Sequence, residues 1–330
     1  MSEPLVHVRD LQVRFVSRDA TVHAVNGVSF DLAERESLCI LGESGSGKSV
    51  TLRALMALNP PRRTKLSGTV RVGGHDIIAA SERKMADIRG STVSMIFQEP
   101  MTALDPVFTI GRQIAETVMR HEGLSRGAAD ARALELLELV QIPSAKRRLA
   151  SYPHELSGGL RQRAMIAIAL SCRPKLLLAD EPTTALDATV QIQILLLLRR
   201  LQEEMGMGVI FVTHDLGVAG EIADRVAVMY AGKFIEQGPV RDLMRRPLHP
   251  YAQGLLGATV HSGLRGERLT TIPGAPPNLE RVPQGCAFAP RCPHVGEDCL
   301  PKVPDFRGPS PDHMARCVRV SPAAVTAEAA

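Results

Sequence analysis

Residues 42–49 read Gly42-Glu43-Ser44-Gly45-Ser46-Gly47-Lys48-Ser49, which fits the pattern G-x-x-x-x-G-K-[ST]. They follow a buried strand predicted over residues 36–41 and open a helix predicted from residue 48 to about residue 58. Glycines let backbone N–H groups converge on phosphate oxygens, and the start of a helix adds positive potential. We therefore expect a nucleotide site in which Lys48 reaches the β- and γ-phosphates and Ser49 binds Mg²⁺.

Two adjacent acids, Asp180 and Glu181, end a second apolar strand predicted over residues 176–179. Ligands of open α/β sheets bind at the carboxyl ends of strands, so both acids are candidates for the same site. Asp180 is suited to hold Mg²⁺ through water, and Glu181 is suited to polarise an attacking water molecule. Solvated loop acids would give the same pattern, but the phosphate-binding stretch upstream favours the functional interpretation.

Strand and helix patterns alternate through most of the chain. Period-2 patterns and short apolar runs predict further strands over residues 5–14, 22–32, 69–72, 92–97 and 209–213. Helical spacing starts at Ile110 and predicts helices over residues 128–140, 161–170 and 188–201. The β-α-β order indicates an α/β fold with a parallel sheet and crossover helices, and residues 99–170 form a helical insertion.

Composition and charge restrict the classes of function. Hydrophobic residues make up 45 % of the 330 residues, and the formal net charge of +4 is too small to indicate nucleic-acid binding. No apolar run approaches the roughly 18 residues that a membrane-spanning helix needs. The first ten residues lack the apolar core of a signal peptide. We expect a cytoplasmic chain that reaches any membrane through a partner.

The composition changes after about residue 260, since ten of the 23 prolines fall between Pro273 and Pro311. We predict two domains, residues 1–260 and residues 261–330, the second being small, irregular and rich in Cys and Pro. Of the six cysteines, Cys39 and Cys172 stand apart from the others in the sequence and are expected in the core. The other four lie in the second domain and are not expected to form disulfides in a reducing cytosol: Cys286, Cys292, Cys299 and Cys317.

Further motifs identify the kind of nucleotide-binding protein. The stretch Leu156-Ser157-Gly158-Gly159-Leu160-Arg161-Gln162 resembles the signature sequence of the ATP-binding cassette (ABC) ATPases. Three more positions match that family in order: Gln98 at the Q-loop, Ala185-Leu186-Asp187 at the D-loop and Val212-Thr213-His214-Asp215 at the switch histidine. The resemblance covers about residues 5–260. It implies a P-loop NTPase domain with a RecA-like core, an antiparallel β subdomain and a helical subdomain at about residues 99–170.

The same resemblance implies roles for these residues. Two ABC domains close face to face around two ATP molecules, so that Ser157, Gly158 and Gly159 face the γ-phosphate bound by the partner domain. A helix start with glycine N–H groups is an anion site, and Ser157 is also suited to cap that helix. The remaining implied roles are catalysis by Glu181, His214 and Gln98, Mg²⁺ binding by Ser49, Gln98 and Asp180, and adenine stacking on Phe15, with His23 the weaker candidate.

Longer stretches are similar to the ATP-binding subunits of oligopeptide and dipeptide importers, a subfamily that also includes importers of nickel chelates and glutathione. These stretches are residues 97–106, 160–163, 180–191, 248–251, 273–277 and 285–293. Most ABC signatures have Gln where this chain has Leu160, and that departure points to a subfamily.

The subfamily implies a particular assembly. It combines two permease chains, a second and different ATPase chain and an extracytoplasmic substrate-binding protein, with the ATPases peripheral on the cytoplasmic face of the inner membrane. Peptides are the expected cargo, and nickel chelates and glutathione are the alternatives. A non-transport ABC ATPase is the rival function.

The four cysteines of the tail have the spacing C-x5-C-x6-C-x17-C. The tail has too few apolar residues to build a core, so a bound metal would help it fold. Four thiolates suit zinc or an iron–sulfur cluster. Zinc sites usually have tight C-x2-4-C pairs, so the wider spacing and the subfamily resemblance favour a [4Fe–4S] cluster. Zinc and free thiols remain the alternatives.

Overall fold

Two β-sheets organise the structure, a computed structural model that describes residues 3–184, 186–258 and 271–321. Their strands, numbered in chain order, are β1 (Val6–Val16), β2 (Thr21–Leu32), β3 (Ser37–Leu41), β4 (Thr64–Val72), β5 (His75–Asp76), β6 (Val93–Ile96), β7 (Leu176–Asp180), β8 (Gly208–Thr213), β9 (Arg225–Tyr230), β10 (Lys233–Pro239), β11 (Arg307–Ser310) and β12 (His313–Ala315).

The larger sheet has eight strands in the order β11-β12-β10-β9-β3-β8-β7-β6. Its five strands from β9 to β6 are parallel, which confirms the predicted parallel sheet. β3, β7 and β8 are buried along their whole length, as expected for strands covered on both faces. The smaller sheet is antiparallel, with the order β2-β1-β4-β5.

Helices cover both faces of the large sheet and fill the segment between β6 and β7. In chain order they are α1 (Lys48–Ala54), α2 (Glu82–Ile88), α3 (Pro100–Ala103), α4 (Ile110–Glu122), α5 (Arg126–Leu139), α6 (Ala145–Arg148), α7 (Gly158–Leu170), α8 (Ala188–Met205), α9 (Leu216–Ile222), α10 (Val240–Arg245) and α11 (Pro250–Gly257). Among the described helices, none combines the length and the apolar character that crossing a bilayer requires.

The apolar core forms two clusters, one on each face of the large sheet. Leu176 and Leu178 of β7 belong to the cluster shared with the antiparallel sheet. Leu177 and Ala179, which point to the opposite face, belong to the cluster shared with α4, α5, α7 and α8. Cys39 is fully buried in this second cluster, as predicted.

Local details differ from the sequence-based expectations. Cys172 is half-buried, so its assignment to the core is wrong. The helix predicted to reach about residue 58 ends at Ala54, because Ala57 has a φ of 49° and the N–H of Leu58 donates to the carbonyl of Arg53 at 2.9 Å. These features form a left-handed helix ending of the Schellman type.

The C-terminal segment, residues 271–321, is joined to the large sheet. β12 pairs with β10 in antiparallel register, with Ala315 opposite Glu236. Glu236 is fully buried and accepts the N–H of Leu248, the N–H of His249 and a hydrogen bond from the ring of His313. The predicted domain boundary between residues 260 and 261 lies outside the described residues.

Candidate active site

Four strands of the parallel sheet place candidate site residues at one edge. Gly42 follows β3, Asp180 ends β7, His214 follows β8, and Gln98 lies two residues after β6. Because parallel strands carry their carboxyl ends to the same edge, these residues lie together although they are far apart in sequence. The sheet thereby brings together the residues that the motifs assign to one site.

The phosphate loop, residues 42–49, needs glycine for two physical reasons. Gly47 stands before α1 with a φ of 107°, and a Cβ there would lie 2.3 Å from the carbonyl oxygen of Ala24. A Cβ on Gly42 would lie 2.3 Å from the carbonyl oxygen of Met229. Left-handed backbone and close approach both exclude larger side chains. The loop therefore lies directly against β2 and β9.

Lys48 and Ser46 place polar groups in the phosphate loop that could bind an anion. Lys48 is 5 % exposed, and its ammonium donates to the carbonyl oxygens of Gly42 at 2.8 Å and Glu43 at 2.9 Å. Burial lowers the pKa of Lys48, while the charges of Glu181 and Asp180 oppose that shift. The Oγ of Ser46 is buried and has no hydrogen-bond partner among the described residues. Phosphate oxygens would satisfy both side chains.

Ser49 and Asp180 fit the predicted Mg²⁺ site. The Oγ of Ser49 donates to Oδ1 of Asp180 at 2.6 Å, and Asp180 is 1 % exposed. Burial raises the pKa of Asp180, and the hydrogen bond from Ser49 opposes the shift. A hydroxyl and a carboxylate held together at a phosphate loop provide the oxygen ligands that Mg²⁺ prefers.

Glu181 is surrounded by groups that can orient it. Its Oε2 accepts Nε2 of Gln98 at 3.2 Å and Oγ1 of Thr184 at 2.8 Å, and Nδ1 of His214 lies 3.6 Å from the same oxygen. Glu181 has a φ of 47°, while its N–H donates to the carbonyl of Val212 at 3.1 Å. A left-handed conformation at a non-glycine residue is unfavourable by itself and persists only where the surrounding structure holds it. The sequence motifs did not single out Thr184, although it stands three residues after the acid.

The signature residues lie at the start of α7 and pack against α8. Ser157 is exposed at the N-cap position, and its side chain makes no capping hydrogen bond. A Cβ on Gly159 would lie 2.9 Å from Val190 of α8. Asp187 begins α8 by accepting the N–H of Val190 at 3.0 Å. The signature and the D-loop position are thus neighbours, while Ala185 lies outside the described residues.

The two candidates for adenine contact lie on the antiparallel sheet. Phe15 is half-buried on β1, opposite Val22 of β2 and Thr64 of β4. The backbone N–H of His23 on β2 donates to the carbonyl of Leu279 at 2.9 Å. His23 therefore contacts the C-terminal segment. The adenine role of both residues stays a prediction.

Glu43 lies in the phosphate loop, but its side chain contacts the C-terminal segment. Its carboxylate accepts two hydrogen bonds from the guanidinium of Arg291, at 2.9 and 3.1 Å. The backbone N–H of Glu43 donates to the hydroxyl of Tyr251 at 2.9 Å. Sequence motifs could not identify this contact, since Arg291 stands 248 residues further along the chain.

The four tail cysteines line one cavity, although within the described residues no group of three or more His, Cys, Asp or Glu side chains is set to hold a metal ion. Burial raises the pKa of Cys286, and the N–H of Phe288 opposes that shift by donating to its sulfur. Burial likewise raises the pKa of Cys317, and the N–H of Arg319 opposes it. The sulfur of Cys292 accepts the N–H of His294 at 3.4 Å.

Comparisons with known proteins agree with this geometry. The family pattern described as ABC transporter matches residues 25–184, and the pattern of the oligopeptide/dipeptide transporter C-terminal region matches residues 235–299. The chain is 47 % identical to the oligopeptide transport ATP-binding protein OppD of Salmonella typhimurium, covering 96 % of this chain and 93 % of that protein. It is 48 % identical to the dipeptide transport ATP-binding protein DppD of Bacillus subtilis, over 96 % and 94 % of the two chains.

A solved structure shares the fold. It is a dimeric ATP-binding cassette in a post-hydrolysis state bound to ADP and Pi, with a TM-score of 0.64 and 29 % identity over 72 % of this chain and 99 % of that chain. The expected ABC fold is thereby confirmed, and the enzyme class is an ATPase. The chain belongs to the ABC ATPases, in the family of oligopeptide/dipeptide importer ATP-binding subunits.

Proposed function

We propose that this chain hydrolyses Mg-ATP to drive the uptake of oligopeptides or dipeptides through partner permeases. The observation that carries the proposal is the match to peptide-transport ATP-binding proteins along 96 % of the chain, with the phosphate loop, Asp180 and Glu181 meeting at one sheet edge. An ABC cassette without the C-terminal region would explain only the nucleotide-binding residues. Similarity that continues through residues 235–299 favours the importer subfamily.

The residues of the site can divide the reaction between them. The phosphate loop binds the triphosphate, and Ser49 and Asp180 hold Mg²⁺, which neutralises charge on the phosphate oxygens when bound. Glu181 accepts a proton from the attacking water. Gln98, Thr184 and His214 lie within 3.6 Å of its Oε2 and keep the carboxylate in position. Phe15 stacks on adenine in this proposal.

The signature residues serve a second cassette. The hydroxyl of Ser157 is exposed and makes no capping bond, so it is free of the helix that it precedes. Together with the N–H groups of Gly158 and Gly159, it forms an anion site at the start of the 13-residue helix α7. The occupant is the γ-phosphate of ATP on the second ATPase chain, which differs in sequence from this one.

The assembly proposal is tested by purification from native membranes. We expect a tagged chain, extracted in mild detergent, to bring down two polytopic permeases and a second cassette ATPase, while the substrate-binding protein remains outside the membrane. The control is the same extraction from cells with an untagged chain. Recovery of the ATPase without any membrane protein would overturn the transport function and leave the nucleotide chemistry intact. Uptake assays with peptides, nickel chelates and glutathione then distinguish the cargoes.

The four-cysteine cavity of the C-terminal segment is proposed to hold a [4Fe–4S] cluster. Four thiols line one cavity, and the sulfur of Cys292 accepts the N–H of His294 at 3.4 Å, the kind of hydrogen bond to sulfur that surrounds such clusters. When bound, the cluster would tie together the irregular chain between Cys286 and Cys317. Zinc is the alternative occupant, and the proposed role is structural.

Metal analysis after anaerobic purification tests the cluster. We expect about four iron atoms and four sulfides per chain, as the cluster stoichiometry requires, and visible absorption that bleaches on oxidation. Cys292→Ser should lower the iron content, whereas Cys172→Ser is the matched control because that thiol lies outside the cavity. Stoichiometric zinc without iron would show that the cysteines bind zinc and not an iron–sulfur cluster. A metal-free protein would leave the cysteines as free thiols.

A further inference from the structure

Arg291 uses all of its donors although it belongs to an irregular segment. It lies in a short 3-10 turn, Ala289–Arg291, and its side chain is 6 % exposed. Its Nε donates to the carbonyl of Pro273 at 2.8 Å, and its terminal nitrogens reach the carbonyl of Ile272 and the hydroxyl of Tyr230. The two bonds to Glu43 complete the five N–H donors that a guanidinium offers. A buried arginine with every donor used is held in one position.

The partner of this arginine is part of the phosphate loop. The carboxylate of Glu43 accepts Arg291, its N–H donates to Tyr251, and its carbonyl oxygen accepts the ammonium of Lys48 at 2.9 Å. One residue therefore connects the C-terminal segment with the lysine that faces the phosphates. Glu43 itself is 27 % exposed, so Arg291 is the main restraint on its side chain.

We propose that Arg291 is a positioning residue for ATP binding, which acts through Glu43 to hold the phosphate loop in its phosphate-binding shape. The inference rests on the ATPase function and adds to it a contribution from the C-terminal segment. Cys292 directly follows Arg291 and lines the cysteine cavity, so the same turn touches both sites.

The contact between Arg291 and Glu43 orders the phosphate loop before ATP binds. A loop that is already held in the bound conformation loses less conformational freedom when the ligand arrives, and its affinity is higher for that reason. Arg291 does not touch the water-activating residue Glu181, so its contact is made equally in the ground state and the transition state. Interactions of that kind change KM and leave kcat nearly unaltered.

The test is Arg291→Met, which keeps an unbranched apolar stem and removes the guanidinium with its charge. We expect KM for ATP and the dissociation constant of a fluorescent ATP analogue to rise about tenfold, with kcat within about twofold of the wild type. KM for ATP of Arg291→Lys should lie between the values of the wild type and of Arg291→Met, because lysine keeps the charge but not the bidentate geometry. Hydrogen exchange of the amides of residues 43–47 should become faster in Arg291→Met.

A double-mutant cycle with Glu43→Gln separates positioning from general destabilisation. If Arg291 acts through Glu43, KM of the double variant should exceed that of Glu43→Gln by a factor of less than about two. The matched control is Arg225→Met, which breaks another arginine–glutamate pair, with Glu36 at 2.6 Å, away from the phosphate loop. It should lower the melting temperature without changing KM.

Three outcomes would overturn the inference: an unchanged KM in Arg291→Met, additive effects in the cycle, or an equal rise in KM in Arg225→Met. If Arg291→Met does not fold, Glu43→Gln alone gives the same test from the other side of the pair. A wild-type protein that neither binds nor hydrolyses ATP would contradict the function itself, which is a different result.

Discussion

Glu181→Gln should bind ATP with nearly unchanged affinity and turn it over roughly 10²–10⁴-fold more slowly, the loss expected when a general base is removed. Glutamine keeps the shape of the side chain and can keep one contact with Gln98 or Thr184. It has no basic carboxylate to accept the proton of the attacking water. The effect should therefore appear in kcat.

The surroundings of Glu181 explain why its loss should not be rescued by a neighbour. Asp180, the adjacent acid, is 1 % exposed and is bound by the hydroxyl of Ser49 at 2.6 Å. His214 lies 3.6 Å from Oε2 of Glu181 and can orient the carboxylate. Thr184→Val should give a smaller decrease, since it removes one orienting bond and leaves the base.

Steady-state turnover and equilibrium binding of a fluorescent ATP analogue measure the two quantities separately. Glu203→Gln is the matched control, because Glu203 is 63 % exposed on α8 and pairs with Arg199 of the same helix. It should retain wild-type turnover. If Glu181→Gln hydrolysed ATP within about threefold of the wild-type rate, Glu181 would not be the base.

The sequence could group the residues of the candidate nucleotide site because each of them stands in a recognisable motif. Gly42 and Gly47 are required by the close carbonyls of Met229 and Ala24, and such constraints leave a fixed motif. Asp180 could be placed because apolar strands ending in acids point to the carboxyl edge of a parallel sheet. In both cases the constraint fixes a residue type at a set position, so the motif is recognisable even though the contacting carbonyl can be far away in the chain.

Contacts between distant segments could not be predicted from the sequence. The pairing of β12 with β10 and the bond between Arg291 and Glu43 depend on tertiary packing, and neither segment has a periodic pattern that announces its partner. The early end of α1 had a similar cause, because Ala57 adopts a left-handed conformation that alanine rarely prefers. Thr184 was overlooked because a hydroxyl in a Thr-Thr pair carries no distinctive signal.

Lys48→Ala should weaken ATP binding itself, by roughly 10²-fold or more, since removing one partner of a buried, hydrogen-bonded charge pair costs about 2–5 kcal/mol. Lys48 is 5 % exposed at the base of the phosphate loop, where no solvent cation replaces it easily. Alanine also leaves the carbonyl oxygens of Gly42 and Glu43 without their donor. The lost charge and the lost hydrogen bonds both weaken ATP binding, which precedes hydrolysis.

Binding titrations with and without Mg²⁺ measure this effect, and Arg53→Ala is its control. Arg53 is a second cation on the same helix, but its side chain is 48 % exposed and lies 4.0 Å from Asp180, so screening by solvent should limit its effect to about threefold. A dissociation constant for Lys48→Ala within threefold of the wild-type value would contradict the assignment of Lys48 to the phosphates.

ATP must bind before it is hydrolysed, so a double variant of Lys48→Ala and Glu181→Gln tests both residues together. If Lys48 binds the phosphates and Glu181 acts only on bound ATP, the double variant should bind ATP as weakly as Lys48→Ala alone. The retained affinity of Glu181→Gln must disappear in it, because that affinity depends on the ammonium group. A double variant that bound ATP as tightly as Glu181→Gln would place the main phosphate contact elsewhere in the loop.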